Sequence, residues 1–371
     1  MLPYWLLFAL FAIGAMRSES AVRPAGPAMG PPHPDPAAAT APRRGGALFI
    51  IACMITAAMI GLRYKVGADW DTYLIIHNAI VRLGPAEAMR HWEPGFVFIN
   101  NLADLLGTEI WLVNLIAGAI FTYGLVQFAR SQPEPWLAVL VGVPYLIIGV
   151  GMGYTRQAAA IGCCMAGFAA LSRGSFLKMA LWVLAGAMFH RSAIVVLPLV
   201  MLSYTRNMLQ TVLVATIGGY IGYKMLSGSL ETYQQTYISR VYESQGAGVR
   251  LGMNLPPAIV FLLLSDRFRF SPEERAVWRN FSIAALLSFG IWLVTSNTAA
   301  VDRISLYLIP LQLTVLSRLP AVLKNSEAPS GEFKLLVILY CLAVQFTWLN
   351  FANHAKYWVP YQVYPFAGSH G

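Results

Sequence analysis

The sequence predicts an all-α protein, a polytopic bundle of transmembrane helices. Hydrophobic residues make up 57% of its 371 residues and charged residues only 12%, where a soluble domain averages about 25% charged. Apolar runs of 15 to 20 residues recur along the chain, close to the length a helix needs to cross a bilayer. Those runs are continuous and do not alternate, which argues against a spanning barrel. Mean hydropathy is +0.58.

The formal charge of +9 is explained by topology. Lys and Arg stand singly at the ends of apolar runs, as the positive-inside rule describes. No basic run is interleaved with aromatics, so nucleic acid is not an expected partner. Cys53, Cys163, Cys164 and Cys341 all fall within apolar runs. Without a CxxC spacing or a nearby His they read as small core residues.

Residues 1–17 form a first transmembrane helix. Arg17 and Arg23 follow its apolar region, the reverse of a signal peptide, so its N-terminus is expected outside. Residues 18–46, rich in Pro, Ala and Gly, read as a cytoplasmic linker. A multi-span membrane domain covers 47–350, with an outer loop at 63–109, and a tail follows at 351–371. Within the loop, Gly95–Gly107 carries Asn100, Asn101 and Asp104 and is too short and polar to cross. If it stays on one side, the remaining runs give about 12 spans. The basic cluster at 266–279 then lies inside, and the active site faces outward from a cell inner (cytoplasmic) membrane. The run 176–205 is expected as a short hairpin broken at His190-Arg191, with one long kinked helix as the alternative.

On this topology the isolated charges gather on the outer face. A charge within an apolar span costs about 2.5–3.5 kcal/mol at its centre, so such residues pair or line a cavity. Lys65, Arg82, Arg90 and Arg250 are read as snorkelling side chains. The stretch Arg63-Tyr-Lys-Val-Gly-Ala-Asp-Trp-Asp-Thr-Tyr73 is different, because it sets cations, carboxylates and aromatics at a hydrocarbon boundary. Asp69 and Asp71 form an acidic pair that would suit a divalent cation or the deprotonation of a sugar hydroxyl. Tyr64, Trp70, Tyr73 and Trp92 offer flat faces to sugar rings.

Arg156 lies in Gly149-Val-Gly-Met-Gly-Tyr-Thr-Arg-Gln157, a glycine-rich opening before a helix of small residues. A guanidinium at a helix N-terminus suits a phosphate or diphosphate. The alternative is that Arg156 pairs with a carboxylate such as Asp69 to hold helices together. Arg303 and Tyr307 share a helix face, although Asp302 and Arg303 could screen each other. His190, with Ser192 after it, is a candidate general base or phosphate donor, or a structural histidine. No zinc-hydrolase or nucleophile-elbow motif is present, and no cofactor or metal is indicated.

Together these residues resemble the EpsG family of polytopic membrane proteins, akin to Wzy-type polymerases. The resemblance rests on Arg63…Gly67-Ala-Asp69-Trp-Asp71-x-Tyr73, Glu93-Pro94-Gly95-Phe96, Tyr154-x-Arg156-Gln157, Phe189-His190-x-Ser192-Ala193 and Asp302-Arg303-x3-Tyr307. It implies an exopolysaccharide polymerase that transfers polyprenyl-diphosphate-linked sugars, in a bundle with a GT-C-like outward-facing cavity. By that similarity Asp69 or Asp71 is the catalytic base, and Arg63, Arg156 and Arg303 clamp the diphosphate. His190 is a further catalytic candidate, and Tyr73, Glu93, Gln157 and Tyr307 are substrate-binding candidates. Expected partners are the polyprenyl-diphosphate-linked oligosaccharide, membrane lipid, and exopolysaccharide export and chain-length proteins. Transport or flipping of lipid-linked sugars is the alternative.

Overall fold

The computed structural model describes residues 1–18, 46–236, 246–295, 298–324, 331–364 and 366. The linker expected at 18–46 lies almost wholly outside the described residues, as does the end of the 351–371 tail. Among the described residues every named element is helical, and the one β contact is an isolated antiparallel bridge between Arg63 and Val363.

Helices α1 (Leu2–Arg17) and α2 (Gly46–Gly61) open the chain. Three short helices follow, α3 (Trp70–Leu83), α4 (Pro85–Ala88) and α5 (Pro94–Leu105). Then come α6 (Ile110–Ser131), α7 (Pro135–Gly142) and, through a π-helix at 143–151, α8 (Thr155–Leu171). Pro144 has no amide hydrogen, and the widened π turn accommodates that gap in the ladder. A short pair follows, α9 (Phe176–Ala187) and α10 (Val196–Met201). The C-terminal part comprises α11 (Met208–Thr236), α12 (Ala247–Gly252), α13 (Leu255–Leu264), α14 (Pro272–Val294), α15 (Thr298–Ser305), α16 (Pro310–Lys324) and α17 (Gly331–Phe351).

Four helical stretches among the described residues are long and apolar enough to cross a membrane: 110–131, 247–267, 272–294 and 331–351. The pair 298–308 and 310–324, bent by 43°, would make a fifth. The other apolar helices are shorter. Exposed apolar side chains on the flanks of α14 and α17, among them Leu287, Leu293, Leu336 and Phe346, suit lipid, and the protein is a membrane protein.

Local sequence explains the helix ends. Ser271 accepts from the Glu274 amide while Glu274 accepts from the Ser271 amide, a reciprocal cap before Pro272 that satisfies two otherwise unpaired donors. α5 has only 12 residues, about 18 Å of helix, too short to cross. Its Asn100 pairs with His77 of α3 at 2.9 Å. Phe176 meets Tyr204 ring to ring at 5.2 Å, so the segment from α9 to Tyr204 doubles back as a hairpin and is not one long helix.

Close backbone approach builds the centre. A Cβ added to Gly124 of α6 would lie 1.8 Å from the carbonyl oxygen of Gly162 in α8. Small residues at a crossing let two membrane helices touch. Below this contact Phe128, Phe168, Trp278 and Phe281 pack edge to face, with centroids 5.3–6.2 Å apart. All four cysteines are buried and free.

The two ends of the bundle are distinct. At one, Tyr4 of α1 donates to the carbonyl of Trp358 at 2.7 Å, beside the loop at 62–69. At the other, Lys334 of α17 pairs with Glu134 at 3.0 Å and donates to the Ser18 carbonyl at 2.7 Å. The Ser18 hydroxyl also reaches Glu134, at 2.9 Å. Arg318 reaches Gln132 at 3.1 Å and covers Phe270.

The glycine crossing is open to test. Gly124→Ala should lower stability by about 1–3 kcal/mol, because backbone must shift to admit the methyl group. Gly219→Ala, with nothing within 4 Å of the added atom, should leave the melting temperature in detergent unchanged or raised. Equal melting temperatures for wild type and Gly124→Ala would contradict the packing described.

Candidate functional site

The loop after α2 is built on Arg63. Its side chain is 2% exposed, and a buried guanidinium is tolerated only where its donors are satisfied. Nη1 donates to the Ile60 carbonyl at 2.5 Å and Nε to the Val66 carbonyl at 3.2 Å. Nη2 donates to Asn114 Oδ1 at 2.9 Å and to Thr155 Oγ1 at 2.7 Å. The guanidinium thus ties α2, the loop, α6 and the start of α8 together. Gly67 has φ +106 and lies against the Met152 carbonyl, where an added Cβ would sit 2.5 Å away; only glycine fits.

That geometry delivers Asp69 to the start of α3. It occupies the N-cap position without capping, and its carboxylate has no hydrogen-bond or ion-pair partner among the described residues. Burial pushes its carboxyl above the ordinary carboxylate value, while Arg303, Arg156 and His354 pull against that shift. Asp71, two residues on, is exposed. Residues two apart do not share a helix face, so the acidic pair is divided between two environments. Among the described residues no group of three His, Cys, Asp or Glu side chains is arranged to hold a metal.

Arg156 stands at the second position of α8. Nη1 pairs with Glu93 Oε2 at 3.0 Å, and its guanidinium carbon lies 5.5 Å from the centre of the Phe96 ring. Glu93 Oε1 accepts from the Arg191 amide at 3.3 Å, which joins the start of α5 to the turn after α9. Tyr73 is buried and accepts from the Arg156 amide at 3.4 Å. Its ring packs edge on against Phe96. Arg156 therefore takes a structural carboxylate, but it is Glu93 and not Asp69. Its Nε, buried, has no hydrogen-bond partner among the described residues.

The third wall comes from α15 and the turn after it. Gln157 donates to the main-chain carbonyl of Arg303, pinning α15 to α8, and the Arg303 side chain is exposed. Asp302 has a partner distant in sequence. It is gripped by Arg250 through Nε to Oδ1 at 2.9 Å and Nη2 to Oδ2 at 2.5 Å, a bidentate pair. Arg250, read as a snorkelling residue, is thus an interior helix tie. His190 Nδ1 lies 2.5 Å from Ser192 Oγ and 3.4 Å from the Tyr307 hydroxyl. Ser192 donates to Tyr307 at 3.1 Å. Both partners are buried, so this trio links the α9–α10 turn to the turn before α16.

Asp69, Arg156, Arg303, Glu93, Tyr73, Gln157, His190 and Tyr307 therefore gather at one end of the bundle. Arg63 lies behind them, and Asp71 faces outward. Three contributors escaped the sequence reading. Asn114, a buried amide in an apolar run, was legible as an expensive polar residue. The Arg250–Asp302 pairing and the packing of residues 352–364 against the loop join positions far apart in sequence, and no local pattern signals them.

The buried pair gives a direct test. Arg250→Met and Asp302→Leu should each destabilise the protein by about 3–5 kcal/mol, since each removes one half of a buried, bidentate ion pair. The double variant should cost less than the sum of the two. Thermal melts in detergent measure all three, and strict additivity would show that the two groups do not interact.

No curated protein and no solved structure matches the chain. Residues 46–363 do match a known family, from α2 to the segment that covers the loop. The chain belongs to the EpsG family, and this implies an exopolysaccharide polymerase-like function.

Proposed function

We propose that the protein is a membrane glycosyltransferase that joins polyprenyl-diphosphate-linked repeat units into exopolysaccharide. The reaction takes place on the outer face of a cytoplasmic membrane, in a GT-C-like cavity of a roughly 12-span bundle. One observation carries this reading. Asp69, a half-buried carboxylate with no partner among the described residues, stands within electrostatic reach of Arg303 and Arg156. A base needs an available carboxylate, and a leaving diphosphate needs cations beside it.

In the proposed step Asp69 takes the proton of an acceptor hydroxyl as its oxygen bonds the anomeric carbon of the donor sugar. The bond from that carbon to the diphosphate oxygen breaks, and the diphosphate leaves with the electron pair. Arg156 and Arg303 stabilise the charge that develops on it. Glu93 and Tyr73 orient Arg156, and Gln157 positions Arg303 through its backbone. Arg63 supports this site from behind, because its donors already serve the protein. His190 with Ser192 and Tyr307 forms a polar wall that can hydrogen-bond phosphate or sugar. Asp71, exposed, lies at the rim.

Complementation of a deletion strain tests this reading, with membrane abundance checked for each variant. Asp69→Asn should abolish long polymer and leave single lipid-linked repeat units to accumulate. Arg156→Gln and Arg303→Gln should each lower polymer synthesis by about 100-fold or more, the scale of a lost oxyanion-stabilising donor. Asp71→Asn should retain most activity. Normal polymer from Asp69→Asn would overturn the assignment, and absence of lipid-linked units from the outer face would indicate the flippase alternative.

The pH dependence follows from Asp69. Burial raises its pKa, so the fold favours the protonated carboxyl, and this contribution to stability is lost as pH rises through the raised value. Activity has the opposite sign. The base must be ionised, so the rate falls on acidification at a higher pH than for an ordinary carboxylate. Arg303→Gln removes a charge that lowers this pKa and should move the acid limb of the residual activity further upward. An unmoved or lowered limb would contradict the role of Asp69.

A further inference from the structure

Residues 352–364 return from the end of α17 and lie across the loop that carries Asp69. Three main-chain hydrogen bonds fix them there: Tyr364 to the Leu62 carbonyl at 2.8 Å, Tyr64 to the Gln362 carbonyl at 3.0 Å and Gly67 to the Tyr357 carbonyl at 2.9 Å. The Trp358 indole donates to the Ile148 carbonyl at 2.7 Å and Tyr361 to the Met59 carbonyl at 2.8 Å. Tyr4 of α1 closes the segment from the far side. The anchors are thus main-chain groups and the side chains of Trp358, Tyr361 and Tyr364, the last stacked on Trp111 with centroids 5.4 Å apart. The side chains of the turn 354–357 have no part in them.

That turn lies beside the proposed base. The Gly67 amide, two residues before Asp69, bonds the Tyr357 carbonyl, and the Tyr357 amide bonds back to the His354 carbonyl at 3.0 Å. His354 has no side-chain hydrogen bond among the described residues, and it interacts electrostatically with both Asp69 and Arg250. Tyr357, with centroid 6.1 Å from the His354 ring, is 44% exposed. Lys356 lies over the same tyrosine ring. A partly buried imidazole and a largely accessible tyrosine ring, held beside a carboxylate by the Gly67–Tyr357 hydrogen bond, suit a sugar ring: the ring takes its C–H surface and the nitrogens take its hydroxyls.

We infer that the turn from His354 to Tyr357 is the acceptor-sugar subsite, with His354 hydrogen-bonding an acceptor hydroxyl beside Asp69 and Tyr357 stacking on the ring. This rests on the glycosyl-transfer reading above. It divides the site by substrate, with the diphosphate of the donor at Arg156 and Arg303 and the acceptor glycan at the C-terminal segment. Burial, with Arg250 and Lys356 nearby, holds the His354 imidazole below the ordinary histidine value. It is then uncharged at neutral pH, with one donor and one acceptor nitrogen, as a sugar hydroxyl requires.

The test uses purified full-length protein and two probes, the lipid-linked repeat unit from the deletion strain and the same repeat unit on a short alkyl aglycone. His354→Ala should raise KM for the alkyl glycoside roughly 3- to 10-fold, the value of one or two neutral hydrogen bonds, with KM for the lipid-linked donor unchanged. His354→Gln should recover part of the loss, and Tyr357→Leu should weaken the same acceptor. Calorimetric binding of the alkyl glycoside alone should weaken in step, which reads the subsite even if transfer itself fails. An unchanged acceptor KM and affinity in His354→Ala, or equal rises in both KM values, would overturn the inference. Full turnover by Asp69→Asn would instead overturn the glycosyl-transfer reading, whatever His354 does.

Discussion

The arrangement depends on one buried guanidinium. Arg63 sits where α2, α6 and α8 converge, and its hydrogen bonds run to a carbonyl of α2, a carbonyl of its own loop, and the side chains of Asn114 and Thr155. Desolvating such a charge costs several kcal/mol unless donors are matched one by one. The match is what fixes the loop. Thr155 also donates to Asn114 at 2.9 Å, so each member of the trio has its position set by the other two. The loop in turn carries Gly67 against Met152 and so aims Asp69 toward Arg156 and Arg303. A buried arginine whose donors are used within the protein can in this way set the geometry of the candidate site.

Charge is distributed by function along the bundle. At the end away from Asp69, Glu134 and Lys334 are buried but matched to each other and to Ser18. At the loop end Arg250–Asp302 and Arg156–Glu93 are matched likewise, and Asp69 stands among them without a hydrogen-bond or ion-pair partner among the described residues. A transport path would call for ionisable groups available through both halves of the membrane. Asp69 differs from the exposed carboxylates in being half-buried and within electrostatic reach of two arginines at the loop end, which is the arrangement surface chemistry needs.

How much of this was legible in the sequence depends on the range of the physics. The helical class and the membrane setting follow from composition and from the length of apolar runs. The shortness of the helix within 95–107 is legible in its length and in Asn100. The ordered motifs led to the family and to the residues gathered around Asp69. Contacts between distant segments could not be read. Arg250 looked like any arginine at the end of an apolar run until Asp302, 52 positions away, was found in its grip. The charge of Arg63 is legible in the sequence, but its hydrogen bond to Asn114, 51 positions away, is signalled by no local pattern. The C-terminal segment looked like a tail because its attachments are mostly main-chain groups, which carry no sequence signature.

The most direct measurement uses purified protein, one preparation of lipid-linked repeat units, and no other component. Release of polyprenyl diphosphate and formation of glycosidic bonds are followed together. The account predicts that wild-type protein releases one polyprenyl diphosphate for each bond formed and that Asp69→Asn, folded and able to bind the donor, does neither. Movement of the lipid-linked unit across a vesicle bilayer without release of diphosphate, equal in wild type and Asp69→Asn, would contradict it.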